Sequence, residues 1–149
     1  CAWEYKAQGV TAAQMNFYYG LAVIALDGMA FVDQYREERL TDPRILDFIK
    51  RVSARVDPQI EGMGAAFRHA ARIAITTRDG RKFEREILHR RGSPENPLKP
   101  EDVEYKFRHV VKSCLTASNI DKVMQIVARL DTLDNTSELI SILAAPTAS

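Results

Sequence analysis

Residues Phe17 to Leu26 (FYYGLAVIAL) are ten consecutive positions without a charge, inside an apolar stretch that begins at Ala12. With Thr11 as N-cap and Gly28 as a left-handed C-cap, the stretch reads as one helix over 12–27. Ala12, Ala13, Met15, Phe17, Tyr19, Leu21, Ala22, Val23, Ile24, Ala25 and Leu26 leave it almost no polar face. A bilayer span takes about twenty apolar residues. This run is too short to cross a membrane and too apolar to face water, so it is expected to be a central helix buried in protein.

Around it the chain has the composition of a folded domain. With 149 residues, 46% hydrophobic and 28% charged, it falls outside the disordered and low-complexity classes. Residues 31–40 read as a short helical turn. Asp42-Pro43 opens a helix carrying Ile45, Leu46, Ile49 and Val52 on one stripe. Residues 53–57 read as a short strand stopped by Pro58, and Gly62-Met63-Gly64 as a loop. Alternation over 70–88 marks a hairpin. Placing Ile75 opposite Phe83 requires a three-residue loop, Arg78-Asp79-Gly80, with Gly80 at positive φ in a G1 bulge. Beyond the polar turn at 92–97, Pro100 starts a helix with Val103, Phe107, Val110, Val111 and Cys114 on its apolar face. A further helix, capped by Ser118 or Asn119, carries Ile120, Val123, Met124, Val127 and Leu130. Thr136 and Ser137 open the last one, with Leu139, Ile140 and Leu143. The expected class is α+β: a small antiparallel sheet packed by helices, better completed by a strand from upstream.

Charge is balanced overall at +1 but not locally. From Arg68 to Arg91 eight Lys/Arg face three acids, a local excess of five. A solvated sheet face is the ordinary reading of such a run, and attraction of an anionic ligand is the alternative. The hairpin has one ring, Phe83, where a nucleic-acid surface would need several, so no nucleic-acid partner is expected. Cys1 and Cys114 allow one pairing and no disulfide framework, which suits a reducing, cytoplasmic compartment. The chain starts at cysteine with no basic n-region or cleavage site, and is expected to be cut from something longer. His69, His89 and His109 are too far apart to suggest a metal site and read as surface histidines. No nucleophile elbow, phosphate loop or dinucleotide fingerprint is present.

Three segments carry a resemblance. Ala12 through Gly28 (AAQMNFYYGLAVIALDG) resembles a hallmark helix of the MmgE/PrpD family, whose pattern is roughly Ala-Gln-Phe-Ser-x-Pro-Tyr, a small-residue apolar run, then Leu-x-Asp-Gly. Arg39-Leu40-Thr41-Asp42-Pro43-Arg44-Ile45 with Val56-Asp57-Pro58 resembles its next helix and strand. Asn96-Pro97-Leu98, Pro100-Glu101-Asp102 and Lys106-Phe107 resemble its Asn-Pro-Leu-x-x-Glu-Asp…Lys-Phe segment. The likeness runs over nearly the whole chain in the right order.

The resemblance implies a cofactor-free and metal-free lyase or epimerase acting on a small di- or tricarboxylate by removing a proton next to a carboxylate, as in the family's 2-methylcitrate dehydratases, which serve propionate catabolism, its cis-aconitate decarboxylases and its iminodisuccinate epimerases. It implies an α+β lid over residues 1–98, incomplete at its start. Residues 99–149 would be C-terminal helices returning to a helical domain absent from this chain, in a homodimeric parent. Most of the family's active-site groups would lie upstream, so this chain alone is expected to be inactive. One position carries over: Tyr19 matches the tyrosine of Ser-x-Pro-Tyr, with an implied role in a substrate hydrogen bond or a proton relay. Asn16 in place of serine and Tyr18 in place of proline put the 2-methylcitrate specificity in doubt. The alternative class is a non-catalytic α+β interaction module.

Overall fold

The apolar stretch does not form one helix. In the computed structural model, which describes residues 2–144, it is broken into α1 (Val10–Gln14) and α2 (Phe17–Asp27). Asn16 makes the break. Its backbone is extended, at φ −95° and ψ 120°, and its side-chain oxygen accepts from the Tyr19 N–H at 3.1 Å. Asparagine ranks among the strongest N-caps because this local bond competes with continued helix. Thr11, the expected cap, therefore lies inside α1. Gly28 ends α2 at φ 76°, as the sequence indicated.

One side of α2 makes the core. Tyr19, Ala22 and Val23 pack with Ala13, Leu40 and Ile45, and Tyr5, Tyr35, Phe48 and Ile49 pack against them. The opposite side is open: Phe17 is 42% exposed and Ile24 49%. The helix is central, as expected, but its outer apolar side is left open by the described residues.

Two short 3-10 turns, Val32–Tyr35 and Glu37–Arg39, fill the expected turn region. Asp42 caps α3 (Pro43–Ile49) by accepting from the Arg44 N–H at 2.9 Å. Asp57-Pro58 repeats the device. The Asp57 carboxylate accepts from the N–H groups of Gln59 and Ile60 and starts α4 (Pro58–Gly62), and the strand expected over 53–57 is absent. Pro58 is the first residue of a helix rather than the end of a strand.

The hairpin has the expected register. β1 (Ala71–Thr76) and β2 (Lys82–Ile87) run antiparallel, with Ile75 opposite Phe83 and Ile73 opposite Arg85. The Gly80 N–H donates to Thr77 O and the Thr77 N–H to Arg81 O, both at 2.9 Å, while Gly80 sits at φ 85°. This closes the three-residue loop. Every residue of both strands is exposed.

The remaining helices are α5 (Pro100–Val111), α6 (Ala117–Val127) and α7 (Ser137–Ala144). Thr116, not Ser118 or Asn119, caps α6, its hydroxyl accepting from the Asn119 N–H at 3.3 Å. Ile120, Val123 and Ile126 are buried, whereas Val127 is exposed. Cys114 was expected on the packed stripe of α5; it lies beyond the helix end and is exposed. Its possible partner Cys1 lies outside the described residues. With a two-stranded sheet and seven α-helices among the described residues, the class is α+β. Contacts divide the chain into two compact units, Cys1–Val52 with Glu101–Ser149, and Ser53–Pro100. No described helix is long and apolar enough to cross a membrane.

Candidate functional site

Tyr19 is the third residue of α2, and capping by Asn16 fixes where it points. Its side chain is wholly buried, with its ring between Tyr5 and Tyr35 at centroid distances of 5.0 and 5.5 Å. Its hydroxyl donates to the carbonyl oxygen of Gln34 at 2.8 Å. Burial foremost, with the neighbouring Tyr5 and Tyr35 and against the charge of Arg39, pushes the phenol up to about 12. At neutral pH it is an un-ionised donor whose one proton is held by a backbone carbonyl, with a lone pair left to offer.

Behind Tyr19 runs a polar chain that joins two of the segments carrying the family resemblance. Gln34 Oε1 accepts from the Phe31 N–H at 3.1 Å, and Gln34 Nε2 donates to Asp27 at 3.3 Å. Arg39 donates to the same Asp27 oxygen at 2.9 Å, and its Nε lies 3.7 Å from Asp42. Asp27 stands at the C-terminal end of α2, where the helix dipole disfavours an acid; Arg39 offsets that. Asp42 is held at about 2, first by the Arg44 side-chain hydrogen bond, then by the Arg44 backbone N–H, with the charges of Arg44 and Arg39 adding. The order Asp27-Gly28, then Arg39 and Asp42, was visible in the sequence. Their meeting depends on the 3-10 turns between them.

Two clefts flank the start of α2. One, of about 360 Å³, lies along α1 and α2 and is walled by Met15, Phe17, Leu21 and Ile24, with Asn16 at its edge. The other, of about 640 Å³, is lined by Tyr5, Tyr18, Leu46 and Ile49 with Glu4 and Lys50 among them. The two departures from the family pattern, Asn16 and Tyr18, thus each line a cleft. Asn16 also donates to Trp3 O at 2.9 Å, so it ties the chain's start to the head of α2. Asn16 keeps the capping function a serine would have, a signal legible from its position three residues before Tyr19.

The histidines are not gathered into one site. His109 packs against Phe31 and Tyr105 and its Nδ1 lies 2.9 Å from Tyr105 O. His89 Nδ1 lies 3.8 Å from Glu95. His69 is exposed beside Arg68 and Arg90. Among the described residues no group of three His, Cys, Asp or Glu is placed to hold a metal ion. The geometry around Tyr19 can orient and support, with no nucleophile and base paired in it.

Comparison with known proteins gives this geometry a context. A sequence model described as the MmgE/PrpD C-terminal domain matches residues 2–132. A cis-aconitate decarboxylase of Homo sapiens is 25% identical over 90% of this chain and 27% of its own length. A cis-aconitate decarboxylase of Aspergillus terreus is 26% identical over 100% of this chain and 31% of its own. The chain therefore spans less than a third of the curated relatives it matches.

Proposed function

The chain belongs to the MmgE/PrpD family, as its C-terminal domain, and from that premise we propose that it is the C-terminal part of a cofactor-independent lyase acting on a small tricarboxylate. The observation that carries the reading is the likeness to cis-aconitate decarboxylases along 90 to 100% of the chain in two distant organisms. Losing CO2 from an unsaturated tricarboxylate and losing water from a hydroxylated one share a requirement. Negative charge at a carbon near a carboxylate must be stabilised while a proton is delivered or removed. In this reading cis-aconitate is the first substrate to try and 2-methylcitrate the second, with propionate catabolism the context of the second alone.

The rest of the proposal follows the family. Residues 1–98 are a lid and 99–149 are helices returning to an upstream helical domain, in a cytoplasmic homodimer whose principal acid–base groups lie upstream. Among the described residues, those from 101 on group with those up to 52 in one compact unit. Tyr19 holds the Gln34 segment and the head of α2 in place; direct hydrogen bonding to substrate, or a proton relay, is the alternative that kinetics decides. The chain by itself is inactive.

The test is the full-length protein assayed for CO2 release from cis-aconitate and for dehydration of 2-methylcitrate. Turnover of either acid, absent from the isolated chain, is expected. No turnover of either by the full-length protein would favour the second reading, a non-catalytic interaction module, which the open apolar side of α2 also suits.

A further inference from the structure

The basic run from Arg68 to Arg91 is not a uniformly solvated face. Its acids are taken up unevenly. Arg72 pairs with Asp57 and Glu86, and Arg81 pairs with Asp79. Arg68 and Arg90, at the two ends of the run and twenty-two residues apart in sequence, instead meet at one uncharged atom. Arg68 Nε lies 3.1 Å from His69 Nε2, and Arg90 Nη1 lies 2.9 Å from the same nitrogen.

An arginine can only donate, so His69 Nε2 is the acceptor for both. An imidazole nitrogen has a single lone pair and cannot satisfy two donors well. The geometry also holds two full positive charges close together, since two nitrogens each about 3 Å from one atom are at most about 6 Å apart. Among the described residues neither arginine has a carboxylate within ion-pair distance. Glu95, in the same unit, faces His89 Nδ1 at 3.8 Å instead. Its carboxyl is held below the usual range first by its own backbone N–H and the Ser93 hydroxyl, then by the charges of His89 and Arg90.

We propose that Arg68, His69 and Arg90 form a binding site for a multiply charged oxyanion. One carboxylate or phosphate group offers several lone pairs and a full negative charge, and two of its oxygens can bridge guanidiniums at this spacing. The anion replaces His69 as the shared acceptor and neutralises the repulsion. His69 remains as a third donor when it turns a ring N–H to the anion. The site lies wholly within Ser53–Pro100 and does not depend on the lyase reading. A polycarboxylate and inorganic phosphate present the same chemistry, and the two arms of the test separate them.

The test uses the full-length protein at fixed ionic strength. Citrate and inorganic phosphate are titrated separately against a chloride control, and hydrogen exchange is followed in peptides covering 66–72 and 88–93. Slower exchange in both peptides with citrate, phosphate or both is expected, at concentrations where chloride has no effect. The double variant Arg68→Ala/Arg90→Ala is expected to weaken that response about tenfold or more. Arg78→Ala, which removes a cation from the hairpin loop, is expected to leave it unchanged. Response to citrate alone identifies a polycarboxylate site and response to phosphate alone a phosphate site. No response to either anion, an equal response to chloride, or equal weakening by Arg78→Ala would overturn the proposal. An anion bound only in an upstream active site would leave these two peptides unmoved, so failure here is separate from failure of the lyase reading.

Discussion

Ile45 and Ile75 are the same side chain in two different settings. Ile45, in α3, is wholly buried, while Ile75, in β1, is 52% exposed. Around Ile45, apolar groups converge from α1, α2, α3 and the segment before α3, far apart in sequence. Around Ile75 they come from one hairpin. Period-2 spacing puts Ile73, Ile75, Phe83 and Ile87 on one face, and that face is open. A two-stranded hairpin is marginal by itself. This one is shaped by local devices, the Gly80 loop and the Arg72 ion pairs with Asp57 and Glu86. Apolar pattern therefore sets element type and register, whereas burial depends on what the element meets. The hairpin face and the outer side of α2 are alike in this respect.

The largest expected contrast is between Ile45→Ala and Ile75→Ala. The first is expected to cost about 2–4 kcal/mol by lost transfer and a cavity, and the second less than about 0.5 kcal/mol in the isolated chain. Thermal melts of the two variants would break the comparison if their losses were equal. Next comes Tyr19→Phe, which leaves the Gln34 carbonyl without its donor and is expected to cost about 1–2 kcal/mol. In the full-length protein, a positioning role predicts a lower melting temperature with kcat/KM nearly kept; a large fall in kcat/KM at unchanged melting temperature would mark a direct role.

The same variant has a pH signature. The Tyr19 phenol is raised in the folded state to about 12 from 10.0. Its contribution to stability is therefore complete below pH 10 and is lost as pH rises through about 12. Melts of the isolated chain between these values should fall less steeply for Tyr19→Phe, with Tyr5 and Tyr35, also raised, keeping some slope.

Smaller effects sharpen the local half of the comparison. Asn16→Ala removes the cap of α2 and the bond to Trp3 O, for about 1 kcal/mol or slightly more, while Asn16→Ser costs a few tenths because serine caps as well. Gly80→Ala forces a Cβ into positive φ and is expected to cost about 1 kcal/mol. Its effect should be confined to faster amide exchange in the hairpin.

The sequence made legible those features whose causes are local. Gly28 as a left-handed cap, Asp42-Pro43 as a helix start and the hairpin register each depend on a few neighbouring residues. The strand misread at 53–57 had its correction in the same vocabulary, since Asp57-Pro58 is a second Asp-Pro start. The break at Asn16 was hidden because an unbroken apolar pattern masks a cap. Non-local facts were not legible. Nothing in the order of residues shows Tyr19 donating to Gln34, Arg39 reaching Asp27, or Cys114 turning outward. Nor could the charge count from 68 to 91 show which arginines are neutralised by acids and which meet at His69.

Under the proposed function the open apolar faces of α2 and the hairpin are covered by the rest of a larger protein. Carbene footprinting of Phe17, Ile24, Ile75 and Phe83, in the isolated chain and in the full-length protein, tests it most directly. Heavy labelling of all four in the isolated chain, and strong protection of the α2 pair, the hairpin pair or both in the full-length protein, are expected. Equal labelling of all four in the two samples would contradict it.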